Sequence, residues 1–288
     1  MIKLIATDLD GTLFYPKNRF YARPKKNRIF LRQFIDKGGK LVRVSGRNVK
    51  ILPSVSRGLK RDADFIGCNG GYIKDEHGFH DRKPIDQKKR SEFYQRFLPD
   101  KNIQGWVLFD QFDFLYLTTP HRGTFSTLIY YTYNYLRFAF KELRLGDDKR
   151  FEKKRTSSDC YKRRLVFGVG KKAKRKATEY CERFKKEYGE SFSFAQSNSA
   201  VEITAPHANK GEVLRKYCLE HQIKPDEVLV CGDSGNDLTR FSLFPHSFAR
   251  SHGDDSFKAK ANHVIKHVHD LKEYLENPEL RENDTAKP

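Results

Sequence analysis

Asp8-Leu9-Asp10-Gly11-Thr12-Leu13, set directly after the apolar run Leu4-Ile5-Ala6, is the stretch on which the reading of this chain turns. More than 200 residues later the arrangement returns as Gly232-Asp233-Ser234-Gly235-Asn236-Asp237, after Val228-Leu229-Val230-Cys231. A short unbroken apolar run bounded by turn residues reads as a strand buried on both faces of a parallel sheet. Each run is followed by glycine and then a helix-like pattern, so each motif sits at a strand tip. Two such strands lying side by side would end together, at the edge where open α/β sheets form their sites. Four carboxylates meeting there repel one another unless a cation lies among them. A few hard oxygen ligands that leave room for water and phosphate suit Mg²⁺.

The residues between the motifs extend this sheet. Lys40-Leu41-Val42-Arg43-Val44-Ser45-Gly46-Arg47 reads as a strand ending in a hydroxyl. Before it, Ile29, Phe30, Phe34 and Ile35 recur at helical spacing between Pro24, suited to a first helical position, and the stop Gly38-Gly39. Phe65-Ile66-Gly67-Cys68-Asn69-Gly70-Gly71 reads as a further strand and turn. Lys210 opens a helix-like stretch carrying Val213, Leu214, Tyr217 and Cys218, from which a lysine could reach the strand tips from the side.

With these four stretches in order, the chain resembles the haloacid dehalogenase (HAD) superfamily and, within it, the Cof-type phosphatases with a large inserted cap (subclass IIB). Asp8-Leu-Asp10-Gly-Thr, Ser45-Gly-Arg, Lys210 and Gly232-Asp233-Ser-Gly-Asn236-Asp237 carry the resemblance, and Asn69-Gly70-Gly71 resembles the Asn-Gly turn of this branch. It covers about residues 1–80 and 197–275. The resemblance implies that Asp8 is the nucleophile of an aspartyl-phosphate and that Asp10 is the general acid and base, with a near-neutral pKa. Ser45 and Lys210 would hold the phosphoryl oxygens. Mg²⁺ would be bound by Asp8, the Asp10 carbonyl and Asp233, with Asp237 at the metal-site waters and paired to Lys210. Gly11, Thr12, Gly46, Arg47, Asn69 and Asn236 complete the implied phosphate and substrate contacts. Aspartate two residues after the nucleophile goes with phosphatases and phosphomutases and argues against a true dehalogenase. In place of the Gly-Asn-Ala turn common in this branch, the chain has Ala249-Arg250-Ser251-His252-Gly253-Asp254-Asp255, which puts any family role of that turn in doubt. Ala261 to Ile265 still fits a last strand.

Spacing locates the insertion. About 35 residues separate Asp10 from Ser45, room for a flap and one helix, whereas Ser45 to Lys210 far exceeds one crossover. The expected architecture is α/β: a discontinuous Rossmann-like core over residues 1–81 and 196–288, with an α+β cap over 82–195 whose helices lie on one face of a small sheet. Within the cap, Trp106 to Thr118 reads as strands with a turn near Gln111-Phe112-Asp113, Arg164 to Gly168 as a strand, Ala173 to Tyr188 as an amphipathic helix, and Ser191 to Ala195 as a strand. Phe125 to Leu145 reads as a helix whose Tyr130, Tyr131, Tyr133, Tyr135, Phe138 and Phe140 recur at helical spacing, as a core face rather than a ring-binding platform.

The 288 residues carry 56 Lys and Arg against 37 Asp and Glu, a net charge of +19. Twenty of those cations, against nine acids, fall in residues 121–190. Such a cap can steer anionic substrates, bind nucleic acid or be a plain solvated surface. No nucleic-acid fold signature accompanies it. Five scattered cysteines without a Cys-x-x-Cys read as reduced thiols of a cytoplasmic protein. The ten histidines show no metal spacing; His263, His267 and His269 read as surface residues, and His207, close before Lys210, has the reach to the site but stays outside the expected set. No apolar run is long enough to span a membrane, Met1-Ile2-Lys3 leads straight into the first strand with no signal peptide expected, and the polar tail from Asn277 is expected to fray. The sequence thus leads to a Mg²⁺-dependent phosphatase of small phosphorylated metabolites, sugar phosphates favoured, acting as a monomer or weak homodimer. The alternatives are a phosphomutase of the same superfamily and a basic anion- or nucleic-acid-binding protein with an idle catalytic core.

Overall fold

The computed structural model describes residues 1–15, 24–110, 115–118, 143–145, 156 and 159–280. The chain divides into two compact units. The first comprises Met1–Gly46, Ile51–Asp81 and Asn209–Pro288, and the second Arg47–Lys50 and Arg82–Ala208.

The first unit is built on an eight-stranded sheet. In chain order its strands are β1 (Leu4–Thr7), β2 (Lys40–Val44), β3 (Asp64–Gly67), β4 (Tyr72–Asp75) and β5 (Gly78–His80), then β12 (Val228–Gly232), β13 (His246–Arg250) and β14 (His263–Ile265). Their spatial order is β14-β13-β12-β1-β2-β3-β4-β5. The six from β14 to β3 run parallel, and β4 and β5 add an antiparallel edge. Leu4 pairs with Val228 and Thr7 with Cys231, so the acidic motifs leave adjacent strands at nearly the same level. β1 and β12 are buried along their whole length, as uninterrupted apolar runs require of a sheet covered on both faces.

Helix α1 (Lys25–Asp36) follows Pro24 and ends before Gly38, whose φ of +90° suits a reversal out of a helix. Helix α2 (Leu52–Leu59) leads from β2 towards β3. Later in the chain, α5 (Lys210–Glu220) places Val213, Leu214, Tyr217 and Cys218 against Leu4, Ala6, Val42, Val44, Val228 and Val230 of the sheet. Short helices α6 (Leu238–Leu243), α7 (Asp255–Lys258) and α8 (Leu271–Glu276) complete this unit.

The second unit holds a six-stranded sheet of β6 (Gly105–Asp110), β7 (Leu115–Thr118), β8 (Leu143–Leu145), β9 (Cys160–Val166), β10 (Ser193–Ser197) and β11 (Ala200–Thr204), in the order β10-β11-β9-β6-β7-β8. All neighbours are antiparallel except β7 and β8. Helices α3 (Gln87–Phe97) and α4 (Lys171–Tyr188) pack on one face, where Phe93, Phe97 and Phe184 meet Trp106, Leu165, Phe194 and Val201. Phe93 alone is in ring contact with Phe97, Trp106, Phe184, Tyr188, Phe192 and Phe194.

Two expectations need correction. The junction expected at 195/196 falls inside the β10–β11 hairpin, and the second unit continues to Ala208. Glu202 inside Ala-Val-Glu-Ile-Thr masked β11 from a reading by apolar pattern. Leu143–Leu145, expected to end a helix, form strand β8. The rest of that helix with its aromatic cluster, the turn at Gln111-Phe112-Asp113, Lys153, Lys154, the flap segment 16–23 and the tail 281–288 lie outside the described residues. Cys68, Cys160, Cys181, Cys218 and Cys231 are buried free thiols. His263, His267 and His269 are half-buried. No helix among the described residues is long and apolar enough to cross a membrane.

Candidate active site

The first acidic motif leaves β1 through one wide turn, Leu9–Leu13, closed by Leu13 N donating to Asp8 O (3.2 Å) and Phe14 N to Leu9 O (3.0 Å). Asp8 is held at the strand tip, its amide donating to Cys231 O of the neighbouring strand (3.1 Å). Its side chain is buried, whereas Asp10, two residues on, is exposed. Gly11 is required twice over. Its φ is +84°, and a Cβ there would lie 1.9 Å from Asp233 Oδ2. Thr12 Oγ1 faces Asp233 Oδ1 at 3.4 Å.

Ser45 is buried at the tip of β2, next to β1 in the sheet, and its carbonyl accepts from Asn69 N (3.0 Å). The turn after β3 carries three successive residues in the left-handed region, Cys68, Asn69 and Gly70. Such strain in non-glycine residues persists only where the surroundings enforce it. A Cβ on Gly70 would meet Asn209 O at 2.6 Å, so this turn is pressed against the start of α5.

Asn209 caps α5, accepting from Gly211 N (3.1 Å) and Glu212 N (2.9 Å). Lys210, the first residue of the helix, is 1% exposed. Its Nζ donates to Asp8 Oδ1 (2.7 Å), Asp237 Oδ1 (2.8 Å) and Asn236 Oδ1 (3.2 Å). Asn236 in turn approaches Asn69 Oδ1 at 3.4 Å.

Asp237 is fully engaged. Its Oδ2 accepts from the amides of Asp233 (3.0 Å) and Ser234 (3.3 Å), and its Oδ1 is shared by Lys210 and Arg240. Arg240, wholly buried on α6, also donates to Cys231 O (2.9 Å) and Ala6 O (3.2 Å). One guanidinium therefore ties the ends of β1 and β12 to the acid that positions Lys210. Sequence reasoning passed over Arg240. The available signal was an arginine three residues after Asp237, on the same helical turn as Leu238 and Phe241.

The charges explain the ionisation. Burial, with Asp237 and Asp233 nearby, pushes the Asp8 carboxyl up to about 7 against the opposing pull of Lys210. Burial also acts to raise Asp237, but Lys210 and Arg240 outweigh it and hold it below the usual carboxylate range. Burial acts to lower Lys210, and Asp237 and Asp8 keep it above the ordinary lysine value.

Oxygens of Asp8, Asp233 and Asp237 lie within 4.8 Å of one another, a set able to hold a divalent cation. The saturated hydrogen bonding of Asp237 makes it the partner of Lys210 rather than a direct ligand, which leaves Asp8 and Asp233 as the carboxylates that fit. Repulsion from neighbouring carboxylates contributes to the raised pKa of Asp8, and a cation would relieve it. Gly46 ends the first unit's segment, and Arg47 is half-buried on a short segment that groups with the second unit. His207 is exposed on a left-handed backbone in that unit. The unexpected turn after β13 brings His252 Nε2 to 3.6 Å from Asp233 Oδ2.

Residues 5–272 match the family of haloacid dehalogenase-like hydrolases. The chain belongs to that family. It is 25% identical over 285 residues to the 5-amino-6-(5-phospho-D-ribitylamino)uracil phosphatase YwtE of Bacillus subtilis, covering 92% of this chain and 93% of that one. A haloacid dehalogenase-like hydrolase from B. subtilis shares the fold at a TM-score of 0.76, with 21% identity over 95% of this chain and 100% of that one. The HAD subclass IIB sugar phosphatase BT4131 does so at 0.72, with 17% identity over 94% and 98%.

Proposed function

We propose that the protein is a Mg²⁺-dependent phosphatase of small phosphorylated metabolites, working through an aspartyl-phosphate on Asp8. The observation that carries this reading is the Asp8–Lys210–Asp237 chain of 2.7 and 2.8 Å contacts beside Asp233 at adjoining strand tips, with Asp10 exposed two residues on. Lys210 donates to Oδ1 of Asp8, and Oδ2 is the oxygen that attacks phosphorus in this reading. The ester P–O bond breaks as the new Asp8–phosphorus bond forms, and Asp10 gives its proton to the leaving oxygen. Asp10 then takes a proton from water, which attacks phosphorus and releases orthophosphate, restoring the Asp8 carboxylate. Lys210 neutralises charge on the phosphoryl oxygens, and Ser45 and Asn69 border the same edge. A cation held by Asp8, Asp233 and the Asp10 carbonyl would supply electrostatic stabilisation of that charge.

The substrate class follows from the relatives. One is named for a phosphoribitylamino-uracil and another for sugar phosphates, both polyhydroxylated chains carrying a phosphomonoester. Purified protein should release phosphate from such compounds, and from a generic aryl phosphate, with Mg²⁺ and not in excess EDTA. Full activity in EDTA removes the metal from the mechanism. No release from any member of a phosphometabolite panel returns the protein to an anion-binding role. Turnover only with a bisphosphate primer identifies a phosphomutase.

A further inference from the structure

Arg250, at the end of β13, is 0% exposed, and none of its three guanidinium nitrogens has a hydrogen-bond partner among the described residues. A desolvated cation in that state needs another source of stabilisation. It finds one in the face of Tyr15, whose ring centroid lies 5.0 Å from the guanidinium carbon. The other face of Tyr15 is covered by His252, with centroids 4.0 Å apart and planes within 6°. His252 in turn points Nε2 at Asp233 Oδ2, 3.6 Å away.

The four groups form a column, Arg250–Tyr15–His252–Asp233, that joins two loops distant in sequence. Tyr15 directly follows the turn that carries Asp10 and begins at Asp8. His252 belongs to the turn after β13, the strand next to the one that delivers Asp233. Asp237 is clamped by donors on both oxygens, and beside the Asp233 carboxylate stand Thr12 Oγ1, 3.4 Å from Oδ1, and His252 Nε2, 3.6 Å from Oδ2. Groups fixed beside a carboxylate in this way help to set its direction.

We propose that Tyr15 and His252 are positioning residues for the divalent cation. Arg250 pins the ring of Tyr15, Tyr15 fixes the plane of His252, and the His252 N–H sets the direction of the Asp233 carboxylate. The inference rests on the reading that Asp8 and Asp233 hold the cation. Outer groups that orient a ligand commonly change metal affinity by about 10–100-fold when removed.

The test is Mg²⁺ binding to the substrate-free enzyme by titration calorimetry, beside the apparent Mg²⁺ constant and kcat in turnover. His252→Ala and Tyr15→Ala should each weaken Mg²⁺ binding about tenfold, with kcat largely recovered at saturating Mg²⁺. The double variant should be no weaker than the singles, because both act through one contact. Tyr15→Phe, which keeps the ring, should bind within about twofold of wild type, and His252→Phe, which keeps the stack but not the N–H, should match His252→Ala. Should Tyr15→Ala fail to fold, the two phenylalanine variants carry the test. Unchanged or tighter Mg²⁺ binding in His252→Ala and His252→Phe overturns the proposal, as does a double variant whose losses multiply. A wild-type enzyme that binds no Mg²⁺ overturns the metal-dependent reading and this inference together.

Discussion

The eight-stranded sheet gathers a connected set of buried charges beyond the ends of β1 and β12, whereas the six-stranded sheet buries Lys162, Arg163 and Glu202 along its strands. In the first unit, Asp8, Lys210, Asp237 and Arg240 form one connected network. In the second, Lys162 pairs with Glu202 at 3.2 Å and lies 4.0 Å over the ring of Phe109. Arg163, the next residue, points to the opposite face, donates to Arg90 O (2.8 Å) and is 1% exposed. Strand direction accounts for the contrast. Parallel strands all finish on one side, so every strand-to-helix turn delivers its polar residues to one edge. Antiparallel strands finish alternately on both sides, and their buried charges must be neutralised where they stand. Charge lost from the first unit should therefore cost chemistry, and charge lost from the second should cost stability.

The largest effect is expected from Asp8→Asn. Phosphate release should fall by more than about 10⁴-fold with an unchanged circular dichroism spectrum, since the amide neither attacks phosphorus nor carries charge. Activity within tenfold of wild type would break the assignment of Asp8. Asp10→Asn should fall by about 10²–10⁴-fold, and with a good leaving group the phospho-enzyme should persist, trapped by acid quench of labelled substrate. Unaltered turnover would exclude Asp10 as the acid and base.

The next pair tests the contrast itself. Glu202→Gln removes the carboxylate paired with buried Lys162 and should cost about 3–5 kcal/mol in a urea melt, with turnover of a generic aryl phosphate near wild type. Arg240→Met should lose less stability, because Lys210 still accompanies Asp237, yet it should lower kcat through the loosened Lys210 contact. If the Glu202 variant loses kcat while the Arg240 variant keeps it, the division between chemistry and stability fails.

The smallest effect concerns the basic surface. Raising ionic strength should lower kcat/KM for a dianionic substrate about threefold and leave kcat nearly constant, because screening acts on encounter. Arg164→Gln should mimic part of this, its side chain being 36% exposed. Arg163 is no test of steering, since it is enclosed among the helices of its own unit. A flat salt response with the fastest substrate would leave the charge as a solvated surface.

Much of the candidate site was legible in the sequence because its signals are local. Unbroken apolar runs marked β1 and β12, and glycine with aspartate marked their tips. Lys210 announced itself as the start of an amphipathic helix. Arg240 was not legible, because its partners are carbonyls and a carboxylate brought together by the crossover of distant strands. In Lys162-Arg163-Arg164 three like residues hide the alternation of a strand, so which cation enters the core could not be read. Nor could the stack of Tyr15 on His252, since the two residues are neighbours only in space.

The sequence by itself determined the α/β class, the residues that gather at the ends of β1 and β12 and the presence of an insertion, because apolar periodicity and turn chemistry act over a few residues at a time. Only the tertiary structure decided that Asp237 holds Lys210 with both oxygens engaged, that the second sheet continues to Thr204, and that Arg250, Tyr15 and His252 stand in line beside Asp233. Those facts depend on which buried charges meet. A desolvated charge is stabilised by whatever partner the packed chain brings within a few ångströms, and that is a property of the fold as a whole.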